Sequence, residues 1–187
     1  MNTPPLMKRE KVEHILRAAG VATGIDQFVL VGTAAIIAWR DVVPPELAMS
    51  RDIDLFAYDA PNAEQVSDLL DGVLGQASNF DASFGYYCDG VGSESALMPD
   101  DWMTRSIRFS TPSTNGVVAI VPEPNDIAIS KLHAWRPKDI DWLRAAVGAA
   151  ILDVDVMRSR LSAISDPRAD KVILAERLDV LARPPIT

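Results

Sequence analysis

Two short runs near the start of this sequence constrain its fold more than anything else in it. Phe28-Val-Leu-Val is apolar and β-branched, predicts a buried strand, and stops at Gly32-Thr33. Residues 34–40 are helix-prone, and Asp41-Val-Val-Pro-Pro ends that helix, because proline cannot continue it. Ser50-Arg-Asp then leads into a second predicted strand, residues 53–58, with Asp52 and Asp54 at its entrance. Strand, helix and strand in this order demand a sheet with helices packed on it.

The rest of the chain extends the pattern and then changes it. Residues 7–19 predict a helix with Val12, Ile15, Leu16 and Ala19 on one face and Gly20 as its stop. Residues 62–74 predict another, with Val66, Leu69, Leu70 and Val73 on one face. Residues 84–88 predict a strand, and residues 89–104 a turn-rich stretch. Residues 106–110 and 117–121 read as a strand pair joined by Thr-Pro-Ser-Thr-Asn-Gly. From Pro124 the pattern is helical, with helices expected near 126–135, 138–151, 155–164 and 168–181. The fold class is therefore α/β (α+β): a small mixed sheet flanked by helices over residues 1–123, with a C-terminal helical part over 124–187 packed on it, as one domain or two.

Charge and cysteine content narrow the function classes. With 18 basic and 26 acidic side chains the net charge is −8, which disfavours a broad polyanion-coating surface. The single cysteine, Cys88, excludes an intrachain disulfide and suits a reducing compartment. The longest apolar run, residues 28–39, is too short to cross a bilayer, and MNTPPLMKREK lacks the apolar core of a signal peptide. A cytoplasmic protein without membrane attachment is expected.

Asp52 and Asp54 are two apart on a predicted strand, so their side chains point the same way. Paired carboxylates repel unless a cation lies between them. Mg²⁺ takes oxygen ligands at about 2.1 Å, commonly one or two carboxylates plus substrate phosphates, and there it neutralises charge on a transferring phosphoryl group. Gly32, at the end of the first strand, lets a phosphate approach the backbone, and the helix that follows points its N-terminus at that anion.

A strand ending in Gly-Thr, a helix, and a strand with Asp-x-Asp together resemble the nucleotidyltransferase superfamily, with Gly32-Thr33 and Asp52/Asp54 at the motif positions. Thr33 stands where the motif has Gly or Ser and keeps the hydroxyl of the Ser version. The gap from Gly32 to Asp52 is longer than in minimal members, with residues 41–47 as the insertion. Residues 124–143, which hold Ser130-Lys-Leu and Arg136-Pro-Lys-Asp, are similar to a segment of AbiEii-like and MenT-like nucleotidyltransferase toxins of two-gene toxin–antitoxin systems. Residues 89–102 resemble a connecting segment of a largely uncharacterised branch of that group.

The resemblance implies a nucleotidyltransferase-like fold and transfer of a nucleoside monophosphate from an NTP to an acceptor hydroxyl, with release of pyrophosphate. It implies Mg²⁺ on Asp52 and Asp54, phosphate contacts from Gly32 and Thr33, and a fixed positive charge at Lys131. It gives Asp139 an assisting role, either orienting Lys131 or activating the acceptor hydroxyl. Arg51 either approaches the triphosphate or balances the two carboxylates. A third carboxylate is expected from a later strand, with Asp89 and Glu123 as candidates and neither chosen. The implied partners are an NTP, a tRNA or small-molecule acceptor, and a cognate antitoxin. A protein acceptor and a non-catalytic nucleotide-binding domain are the alternatives. His14 and His133 have no evident catalytic partners, and Trp39, Trp135, Trp142 and Cys88 read as packing residues.

Overall fold

The computed structural model describes residues 6–183, which divide into two compact units. The first runs to Ser95 and resumes over Ser106–Pro122; the second comprises Ala96–Arg105 and the chain from Glu123 onward.

The first unit holds a five-stranded mixed sheet in the order β3-β2-β1-β5-β4. Its strands are β1 (Gln27–Val31), β2 (Asp52–Ala57), β3 (Tyr87–Gly90), β4 (Ile107–Phe109) and β5 (Val118–Val121). The central strand β1 pairs antiparallel with β2 and parallel with β5; β2 pairs parallel with β3, and β4 antiparallel with β5. Phe28, Val29 and Leu30 are fully buried, as a strand flanked on both edges and covered by helices must be. The helices of this unit are α1 (Arg9–Thr23), α2 (Gly32–Trp39), α3 (Pro45–Ala48), α4 (Ala63–Leu74) and α5 (Asn79–Phe84). The α4 helix packs on β2 and β3 and also meets α1.

Three local expectations are corrected. The first helix does not stop at Gly20. It runs through to a left-handed cap at Gly24 (φ 73°), and a Cβ at position 20 would come within 2.5 Å of Val117 Cγ2. Glycine at 20 thus serves close packing, and Gly24 serves the cap. The buried face of α4 is Val66, Leu70 and Leu74, whereas Leu69 and Val73 are exposed. Phe84 belongs to the short helix α5, which starts where the Ser78 hydroxyl accepts from Asp81 N, so the strand begins three residues later than expected.

The second unit contains α6 (Pro124–Ala134), α7 (Pro137–Gly148), α8 (Val154–Arg160) and α9 (Lys171–Ala182). Its organising contact is a buried ion cluster. Asp126 is fully buried; its Oδ2 accepts from Arg105 Nε at 2.9 Å and its Oδ1 from Arg160 Nη1 at 2.9 Å. Arg160 also pairs with Glu123, which caps α6 by accepting from Asn125 N. Among the described residues, no helix is long and apolar enough to cross a membrane.

Two outcomes follow. Asp126→Ala removes the carboxylate shared by two largely buried guanidiniums, which keep Asp101 and Glu123, so denaturant unfolding should show a loss of about 1–3 kcal/mol. His14 Nδ1 lies 2.7 Å from Tyr86 Oη, and the ring packs edge-on to Phe84. Burial, and secondarily the charge of Arg17, holds the His14 pKa below its usual value. The unfolded chain therefore takes up this proton first as pH falls. Stability from this site is complete above about pH 6.5 and declines below it, toward the folded-state pKa. Urea unfolding across that range should show the decline in the native chain and not in His14→Gln.

Candidate metal and nucleotide site

The register of β2 with its two neighbours builds the site. Asp54 is opposite Val31 on β1 and Asp89 on β3, while Asp52 is opposite Tyr87. Strand alternation sends Ile53, Leu55 and Cys88 into the core, all fully buried, and leaves Asp52, Asp54 and Asp89 half-buried on the other face. One ligand oxygen from each of these three carboxylates lies within 4.8 Å of the others. The Asp89 pKa is raised, first by burial and then by the negative charges of Asp52 and Asp71. Burial and neighbouring negative charge both disfavour the ionised form of a carboxylate.

Of the two candidates left open for a third carboxylate, Asp89 joins Asp52 and Asp54. Glu123 is held in the second unit by Arg160 and Asn125. The sequence signal for Asp89 was a strand placed three residues too early, which put Asp89 just outside it.

Gly32 has a positive φ of 67°, and an added Cβ would lie 1.9 Å from Asp54 Oδ2. The space beside this glycine, expected from the sequence to admit a phosphate, is held here by a carboxylate oxygen. Gly32 and Thr33 open α2, so the Asp54 carboxylate rests against the positive end of that helix. Asp52 is held differently: the buried Ser50 hydroxyl donates to its Oδ1.

Arg51 is committed within the first unit. Its Nη2 pairs with the buried Asp81, its Nε donates to Gly85 O at 3.0 Å, and the guanidinium lies 5.7 Å from the centre of the Tyr87 ring. Its balancing carboxylate is Asp81 rather than Asp52 or Asp54.

Lys131 and Asp139 come together in the second unit. Lys131 Nζ lies 3.9 Å from Asp139 Oδ1 and 4.7 Å from the centroid of Trp142. Asp139 is 1% exposed and also accepts from Arg136 Nε at 2.6 Å. One carboxylate thus faces two cations. Trp142 is buried, and Trp39 is half-buried and donates to Pro122 O at 2.6 Å. Trp135 closes α6 in a left-handed conformation beneath Arg177.

The three carboxylates form a hard, all-oxygen donor set that suits Mg²⁺ or Mn²⁺ and lacks the nitrogen and sulfur ligands of a zinc site. No curated protein and no solved structure matches the chain. A family model does, over residues 11–173, and its description is "nucleotidyltransferase of unknown function (DUF6036)". With the match spanning most of its length, the chain belongs to this nucleotidyltransferase family.

Proposed function

We propose that this protein is a Mg²⁺-dependent nucleotidyltransferase that moves a nucleoside monophosphate from an NTP to an acceptor hydroxyl. The observation that carries this reading is the convergence of Asp52, Asp54 and Asp89 beside the Gly32 turn, in a chain of this family. Asp52 and Asp54 are the metal ligands, and Asp89 is the third. A divalent cation bound there supplies charge neutralisation at the transferring phosphoryl group. The acceptor oxygen bonds to the α-phosphorus, the α–β bridging bond breaks, and pyrophosphate leaves with the electron pair. The hydroxyl proton passes to a carboxylate or to solvent.

Gly32 and Thr33 offer backbone groups at the start of α2 to the phosphates. Lys131 is the fixed positive charge for them. That role rests on the similarity of residues 124–143; within the second unit its ammonium faces Asp139, which also accepts from Arg136. Asp139 orients Lys131 rather than acting as a base, since its two oxygens already face Lys131 and Arg136. Arg51, already balanced by Asp81, contributes less to phosphate binding than Lys131.

A toxin role in the cytoplasm, with tRNA as acceptor and an antitoxin encoded alongside, rests on the similarity of residues 124–143 to AbiEii-like and MenT-like proteins. A small-molecule or protein acceptor is the second reading, favoured by the net charge of −8.

Calorimetry with Mg²⁺–NTP, run beside a labelled-NTP assay on RNA, protein and small-molecule fractions, tests this reading. The native chain should bind nucleotide only with metal and label one fraction. Asp54→Asn should lose transfer by several orders of magnitude, while its metal-free unfolding midpoint holds or rises as repulsion is relieved. Wild-type protein that neither binds nucleotide nor labels any fraction would leave the non-catalytic alternative. Gly32→Ala should also abolish transfer, because its Cβ needs the place of Asp54 Oδ2, and the positive φ adds about 1–2 kcal/mol of destabilisation.

A further inference from the structure

We propose that Ser50 is a positioning residue that holds the Asp52 carboxylate in the cluster, so that the three ligands stand ready before a cation arrives; this rests on the metal-binding reading above.

Asp52 needs such a device more than Asp54 does. It is the first residue of β2, at the end of the strand where pairing begins, and it stands beside two other acidic groups. Repulsion of like charges favours rotating its side chain away toward solvent. Asp54 has other restraints: it lies inside the strand and rests against Gly32 at the start of α2. At Asp52 the restraint is the Ser50 hydroxyl, which donates to Oδ1. A carboxylate offers about four lone-pair sites, so one neutral donor fixes its direction and leaves the others for a cation. A neutral donor also fixes the carboxylate without neutralising it, as an arginine or lysine would.

Ser50 is itself held on both sides. Before it, Met49 pairs in an isolated antiparallel bridge with Leu6, and Met7 N donates to Ala48 O at 2.6 Å. After it, Tyr87 N donates to Arg51 O at 2.9 Å, which ties the chain to the start of β3. The serine is buried at 9% exposure, so water competes weakly for its hydroxyl. A tethered, buried donor two residues ahead of the carboxylate is what turns a local hydrogen bond into an orienting one. Partners of this kind behind metal ligands commonly change affinity by about 10–100-fold when removed.

The test uses the full chain and Mn²⁺ alone, with free Mn²⁺ followed by electron paramagnetic resonance. Ser50→Ala should weaken Mn²⁺ binding about tenfold or more while its metal-free unfolding midpoint stays near that of the native chain. Ser50→Thr, which keeps the hydroxyl, should bind like the native chain. A metal-free crystal structure of Ser50→Ala should find the Asp52 carboxylate turned out of the cluster. Native Mn²⁺ affinity in Ser50→Ala overturns the proposal and leaves the metal site standing. If Ser50→Ala does not fold, Ser50→Cys takes its place; its thiol is of similar size but a weak donor, and native affinity there overturns the proposal equally. Absence of any Mn²⁺ binding in the native chain that Asp54→Asn removes overturns the metal-site reading itself, and with it the role of Ser50.

Discussion

Mutual repulsion among Asp52, Asp54 and Asp89 is the interaction that most of the first unit is arranged to withstand. Three carboxylates with oxygens within 4.8 Å of one another work against folding unless the backbone leaves them nowhere else to go. Strand pairing supplies that constraint. With Asp54 opposite Asp89 in a parallel pair, their backbones cannot separate without breaking the register that also buries Ile53, Leu55 and Cys88 on the other face. Hydrophobic burial on one side of β2 and β3 therefore maintains electrostatic strain on the other. Such strain suits a site that becomes favourable when a cation enters.

The second unit solves the opposite problem. Asp126 is buried completely, yet it has two guanidiniums and is satisfied. Asp139 is nearly as buried and faces Arg136 and Lys131. Around Asp139 two cations face one acid, whereas the two guanidiniums at Asp126 also pair with Asp101 and Glu123.

Much of this could be read from the residues. The Phe28–Val31 run and the Asp-x-Asp alternation report backbone periodicity, which is local and survives in sequence. The pairing of β4 with β5 and the four late helices were legible for the same reason. Asp89 was not settled, because its membership depends on the register between β2 and β3, which are separated by two helices in the chain. Gly20 misled because a glycine inside a helix and a glycine ending one look alike until Val117, nearly a hundred residues on, is seen against it. Gly32 was found as a motif residue, but the contact with Asp54 that demands a missing side chain there is visible only in three dimensions. The exposed Leu69 and Val73 show the limit of a helical stripe: the pattern marks a face, and the neighbours decide how much of it is covered.

The short excursion of the chain over Ala96–Arg105 sets how this protein can be taken apart. That segment belongs to the helical unit, although it is threaded between β3 and β4 of the sheet. It brings Arg105 to Asp126, offers Leu97 O to the Ser130 hydroxyl, and has Asp100 accept from Ser165 N. A fragment cut at residue 123 would carry the four late helices but not these partners, and a fragment ending there would carry a ten-residue strap with nothing to grip. The polypeptide therefore weaves its halves rather than stringing them. Limited proteolysis, gene splitting and circular permutation should respect the two crossings of this strap, not a single hinge.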